Sequence, residues 1–156
     1  MNEVALLLHN IRSAHNVGSI FRTADAAGAS HIYLSGYTPR PVDRFGRAQK
    51  EIAKTALGAE RFIPWEYAAS PTTLVKRSRK EGWSIVGIEQ DALARDYRSY
   101  KLNSRTLLIF GNEVRGLSGE LRRDCDELIE IPMRGGKESL NVSVAAGIIL
   151  FHALNT

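Results

Sequence analysis

Apolar and polar positions fall along this chain in two alternating kinds of block. Short, mostly apolar runs of strand length occur at Val4–Leu8, His31–Leu34, Arg61–Ile63, Trp83–Ile88, Thr106–Phe110 and Glu127–Ile131. Pro64 and Pro132 stop two of them. Between the runs lie stretches with helical spacing. Asn16–Ala27 places Ile20, Phe21 and Ala24 on one side and is stopped by Gly28. Ala48–Leu57 ends at Gly58, and Pro71–Glu81 opens with proline in its first turn and closes at Gly82. Ser118 is the expected N-cap of a short helix running to Asp124. The last stretch, Ser139–Leu154, reads SLNVSVAAGIILFHAL and is apolar or small almost all round, which predicts a buried helix capped by Ser139.

Strands alternating with helices predict an α/β fold, a mostly parallel sheet with helices on both faces. No repeat, linker or low-complexity tract interrupts it, so residues 1–156 read as a single domain. In such sheets ligands bind beyond the carboxyl ends of the strands, which directs attention to the loops after Leu8, Phe110 and Ile131. The first leads into NIRSAHNVGSIFRTADAAG. Asn16 and Arg22 are six residues apart, about 600° around a helix, so they do not share a face, yet both can approach one pocket at the helix's beginning. Gly18 leaves room for another backbone. The second loop, GNEVRGLS, has two glycines around Glu113 but lacks the ending of a phosphate-binding P-loop, and no G-x-G-x-x-G occurs in the chain. The third, PMRGGKESLNVS, sets polar Ser139, Asn141 and Ser143 at the start of an apolar helix, where they need partners.

Composition narrows the picture further. A lone cysteine, Cys125, excludes an internal disulfide, and four scattered histidines give no zinc-like spacing, so no metal is expected. The N-terminus carries an acid where a secretory leader needs base. No stretch approaches the roughly 20 apolar residues of a membrane span, so a cytoplasmic protein is expected. The net charge of +4 favours an anionic partner. Arg40, Arg44, Arg47, Lys50 and Lys54 cluster where a loop containing Pro39, Pro41 and Gly46 leads into a helix, as binding residues often do. Lys76, Arg77, Arg79 and Lys80 read instead as a solvated helix face. No aromatic-rich platform for single strands stands out, so an RNA partner would be recognised by shape and phosphate.

Taken in order and spacing, NIRSAHNVGSIFRTAD, FGNEVRGLS, and IPM followed by SLNVSVA resemble the three motifs of the SpoU, or TrmH-like, branch of the SPOUT RNA methyltransferases. The resemblance runs from Asn10 to about Leu150. It implies an α/β domain with a deep C-terminal trefoil knot, S-adenosylmethionine as cofactor, a homodimer whose active site draws on both subunits, and methylation of a ribose 2′-hydroxyl in transfer or ribosomal RNA. It implies Arg22 as the catalytic arginine, with Asn16, Glu113, Ser139 and Asn141 as its polar companions. Gly111, Asn112, Glu113, Gly116, Ile131, Met133 and Leu140 would form the cofactor pocket. Arg12 and Arg115 join Arg40, Arg44 and Arg47 as the RNA-facing cations. The chain starts at the first strand, so the added N-terminal RNA-binding domain of many relatives is expected to be missing. Two rival readings keep the fold and change the function: a non-catalytic RNA-binding module, and a methyltransferase acting on a base nitrogen.

Overall fold

A computed structural model describes residues 1–155. The elements in chain order are β1 (Glu3–His9), α1 (Ala14–Ala27), β2 (His31–Ser35), α2 (Lys50–Ala56), β3 (Trp65–Tyr67), α3 (Pro71–Lys80), β4 (Ser84–Ile88), β5 (Arg95–Asp96), β6 (Arg105–Phe110), α4 (Gly119–Asp124), β7 (Glu127–Glu130) and α5 (Val142–Leu154). The seven strands form one sheet in the order β3-β2-β1-β6-β4-β7-β5, and every pairing is parallel.

The period of two along the central strands explains why the sheet is covered on both faces. Val4, Leu6 and Leu8 of β1, with Leu108 and Phe110 of β6, join Ile20 and Phe21 of α1 and Ala146 and Leu150 of α5 in one core. Ala5 and Leu7, with Leu107 and Ile109, face the other way and join Leu74 and Val75 of α3 and Leu121 of α4. Phe21 and Phe110 are completely buried or nearly so, and burying each contributes about 1.5–3 kcal/mol. Gly18 is where α1 and α2 meet: a Cβ there would lie 2.4 Å from the Ile52 carbonyl oxygen and 2.0 Å from Thr55 Oγ1.

Several boundaries differ from the sequence reading, each for a local reason. The first helix starts at Ala14, because Ser13 caps it by accepting the Asn16 N–H at 3.1 Å. Asn16 therefore lies in the first turn and its side chain is released for other work. The last helix starts at Val142, capped by Asn141, whose Oδ1 accepts the Ser143 N–H at 2.8 Å. Ser139 is not the cap; it and Leu140 stay in the preceding loop. The helix expected over Ala48–Leu57 occupies Lys50–Ala56, ended by Leu57 at φ 51°. Arg61–Ile63 is not a strand. A 3₁₀ turn covers Ala59–Arg61, and Ile63 is buried without joining the sheet. The Pro64 carbonyl accepts from Ile32 N–H, and the strand begins one residue later.

The last helix buries Val142, Ala146, Ile149, Leu150 and Ala153. Its remaining surface is also apolar, with Val144 50% and Phe151 45% exposed, so this chain alone covers only part of it. Among the described residues no helix is long and apolar enough to cross a membrane.

Candidate active site

The carboxyl ends of β4, β6 and β7 open onto one cleft of about 260 Å³, just below the usual range for small-molecule sites. All seven residues expected at the cofactor pocket line it: Gly111, Asn112, Glu113, Gly116, Ile131, Met133 and Leu140. Ser139 lines it too. The loop after β6 forms one wall, and it is built tightly. Asn112 N–H donates to the Gly116 carbonyl at 3.2 Å and Gly116 N–H to the Asn112 carbonyl at 2.9 Å, closing a small ring. Gly116 takes φ 68°, in the left-handed region, and a Cβ there would fall 2.3 Å from Glu89 Oε2.

Glu89 was not foreseen from the sequence. Its Oε2 accepts the Leu117 N–H at 2.6 Å and lies 3.4 Å from Arg122 Nη2, so it grips the far side of the glycine loop. Gln90 beside it donates to the Ile131 carbonyl at 2.7 Å and joins the β4 end to the β7 end. The signal was hidden because both residues follow a strand whose loop carries no glycine or motif.

Asn112 proves structural as well as cavity-lining. Its Nδ2 donates to the Asn10 carbonyl (3.0 Å) and the Tyr37 hydroxyl (2.9 Å), and its Oδ1 accepts the N–H groups of Val114 and Arg115. With its amide so occupied, it shapes the cleft rather than offering a free donor.

Glu113 joins the second loop to the first. It accepts the backbone N–H of Arg12 at 3.0 Å and of Ser13 at 3.1 Å, and Asn16 Nδ2 at 3.4 Å. Asn16 Oδ1 in turn accepts Asn141 Nδ2 at 3.2 Å. One line of hydrogen bonds, Asn141–Asn16–Glu113, thus ties the three loops together. Burial pushes the Glu113 carboxyl upward, but the N–H groups of Arg12, Glu113 itself and Ser13, with the Asn16 amide, outweigh it and hold the pKa below the ordinary 4.5. A carboxylate with a depressed folded pKa stabilises the fold fully above its unfolded value. Its contribution is lost as pH falls through the lower folded value. Glu113→Gln sets an amide NH2 against one of these N–H donors. We expect it to weaken cofactor binding about ten-fold and to flatten the acid limb of thermal stability below the ordinary glutamate pKa, read by calorimetry and by melts at acid pH.

Arg22 is placed elsewhere. It is exposed and lines a second depression with Ser19, Thr23, Ala26, Lys54, Thr55, Leu57 and Phe151. This depression shares no lining residue with the cleft; Asn16 and Asn141 line neither and reach the cleft only through Glu113, so within one chain Asn16 and Arg22 do not converge on one pocket as expected. Arg12, Arg40, Arg44, Arg47 and Arg115 are all exposed. Arg12 and Arg115 sit at the cleft's edge through their backbone bonds to Glu113 and Asn112, and the other three lie on the loop between β2 and α2.

A model of the SpoU rRNA methylase family matches residues 3–151. The 23S rRNA (guanosine-2′-O-)-methyltransferase RlmB of Photobacterium profundum is 35% identical over 153 residues, 98% of this chain and 60% of that protein. The Escherichia coli RlmB is 36% identical over 149 residues, covering 96% of this chain and 58% of its own length. This chain therefore spans about three fifths of these curated relatives. Among solved structures, an AdoMet-bound rRNA methyltransferase from Sinorhizobium meliloti superposes with TM-score 0.86 at 35% identity, covering 96% of this chain and 55% of that one. The SpoU methyltransferase AviRb of Streptomyces viridochromogenes, in complex with AdoMet, superposes with TM-score 0.86 at 30% identity, covering 99% and 57%.

Proposed function

Because the chain belongs to the SpoU rRNA methylase family, we propose that it transfers a methyl group from S-adenosylmethionine to a ribose 2′-hydroxyl of a structured RNA. The substrates named for the relatives favour ribosomal over transfer RNA. The cytoplasm, where both substrates occur, is the proposed site of action. The observation that carries this reading is the Asn141–Asn16–Glu113 line, which draws all three loops to one end of the cleft.

The cleft fits the cofactor in shape and chemistry. Ile131, Met133, Leu140 and the 92%-exposed Val114 offer apolar walls for an adenine. The ring closed by Asn112 and Gly116 sets a firm backbone wall beside them, and Ser139 offers a hydroxyl in the same lining. When bound, S-adenosylmethionine supplies an electrophilic methyl group on a sulfonium. The chain's own residues must then align the ribose oxygen with that methyl and ease the loss of its proton. Asn16 and Asn141 orient the sugar from the hydrogen-bonded line. A guanidinium suits a different task from a base: Arg22 grips the adjacent phosphate and stabilises charge developing on the oxygen.

That task requires a second copy. We place Arg22 of the partner subunit at this subunit's cleft, in a homodimer paired through the open face of α5 around Val144 and Phe151. Both residues are large, apolar and uncovered, which supports the pairing, and Phe151 lines the same depression as Arg22. We also propose that the C-terminal part is knotted. The strand order supports this: β7 lies between β4 and β5, so the segment joining those two crosses a strand that arrives later.

Nucleoside mass spectrometry tests the chemistry. Ribosomal RNA incubated with the protein and methyl-labelled S-adenosylmethionine should carry label on the ribose fragment. Label on a base would select the base-nitrogen reading. No cofactor binding and no label would select the RNA-binding module.

A further inference from the structure

The loop joining β2 to α2 ends in a rigid tip. Asp43 Oδ1 accepts the N–H groups of Phe45 (2.8 Å) and Arg47 (3.0 Å), and its Oδ2 accepts Arg47 Nε at 3.0 Å. Asp43 N–H returns to the Arg47 carbonyl at 2.9 Å, and Val42 and Ala48 close an antiparallel bridge. This small hairpin presents Phe45 outward, 67% exposed. The guanidinium carbons of Arg44 and Arg47 stand 4.9 and 5.0 Å from its ring centroid. Farther down the loop Arg40 lies 3.7 Å over the Tyr67 ring, whose hydroxyl donates to the Gly36 carbonyl. Residues 40–54 carry five cations against two carboxylates. The base of the loop is tied to the cleft, because Tyr37 N–H donates to Asn10 Oδ1 and the Tyr37 hydroxyl accepts from Asn112 Nδ2.

An exposed ring flanked by guanidiniums is a poor match for an apolar protein surface, since covering it would strip water from cations that have only Asp43 beside them. It is a good match for a nucleotide, whose base has a flat π-face and whose phosphates are anionic. We propose that Phe45 stacks on an unpaired base of the substrate RNA while Arg44 and Arg47 hold the flanking phosphates. The target nucleotide then lies beside a single-stranded or splayed segment, rather than in an undisturbed duplex. This inference rests on the RNA-methylating reading above and revises the expectation that shape and phosphate alone recognise the RNA.

Fluorescence anisotropy distinguishes stacking from charge. Two probes are used: a labelled single-stranded RNA of about 12 nucleotides and an RNA duplex of about 16 base pairs. Phe45→Ala and Phe45→Leu should each weaken single-strand binding about ten-fold, Phe45→Trp should restore it, and duplex binding should change less than about two-fold. Equal losses on both probes, or wild-type affinity in Phe45→Leu, would overturn the proposal. So would a change in oligomeric state of Phe45→Ala by sedimentation, which would assign the ring to a second copy. Calorimetry with S-adenosylmethionine on the same proteins keeps the two readings separate. A wild-type protein that binds the cofactor while Phe45→Ala binds both probes normally refutes stacking alone. A wild-type protein that binds no cofactor refutes the enzymatic reading.

Discussion

Arg22→Ala should lower methyl transfer by about 10²–10³-fold while S-adenosylmethionine binds with unchanged affinity. The two effects separate because Arg22 lines a depression that shares no residue with the cleft proposed for the cofactor. Nothing in the hydrogen-bonded line of Asn141, Asn16 and Glu113 passes through it. Its side chain is exposed, so truncation leaves no buried polar group behind and the melting temperature should stay within about 2 °C of wild type. Arg22→Lys adds a finer test. Lysine keeps the charge but cannot make the planar two-pronged contact with a phosphate, so it should recover only a small part of the rate. Full recovery by lysine would mean that charge alone matters there. Single-turnover kinetics on ribosomal RNA, beside calorimetry with the cofactor, reads both quantities.

Gly116→Ala should have the opposite signature: cofactor binding falls by about 100-fold or more, and the protein loses about 2–3 kcal/mol of stability. Two costs combine. The position sits at φ 68°, where a side chain costs about 1–2 kcal/mol. The added Cβ would also fall within 2.8 Å of three atoms of the Glu89 carboxylate. That carboxylate cannot swing away freely, because it accepts the Leu117 N–H and faces Arg122, and its side chain is only 14% exposed. The loop must shift instead, which opens the ring between Asn112 and Gly116 that forms the cleft wall. For a domain of this size the destabilisation corresponds to about 4–12 °C in melting temperature. A protein that melts as wild type and binds the cofactor normally would show that the left-handed glycine is not needed.

The sheet was legible in the sequence because its central strands are apolar on both faces, and β1 and β6 read as unbroken runs for that reason. The helix caps were less legible. Ser13 and Asn141 each sit in polar runs offering several good caps, and the choice between Ser13 and Asn16, or Ser139 and Asn141, depends on where the chain enters from the sheet. Arg61–Ile63 resembles a strand in the sequence because Phe62 and Ile63 are both apolar, yet only Ile63 is buried, Phe62 is 76% exposed, and Arg61 ends a 3₁₀ turn. In the candidate site, the seven positions that the second and third motifs supply line one cleft, whereas Arg22 of the first motif lies outside it. Glu89 and Gln90 were not foreseen, since their importance comes from touching a glycine loop and a carbonyl distant in sequence. Asn112 lines the cleft, but its amide is bonded to Asn10, Tyr37 and its own loop, contacts that the motif alone does not reveal. Spacing along α1 correctly put Asn16 and Arg22 on different faces, and the structure carries that separation further than the sequence indicated.

In the proposed homodimer each site is assembled from the cleft of one copy and Arg22 of the other. The most direct test mixes the two inactive variants. Arg22→Ala keeps an intact cleft, and Gly116→Ala keeps an intact Arg22. After subunits exchange, verified by native mass spectrometry, about half the dimers should be mixed and each should hold one complete site, restoring about a quarter of wild-type methyl transfer. A mixture that exchanges subunits yet stays as inactive as its parents would contradict the shared site.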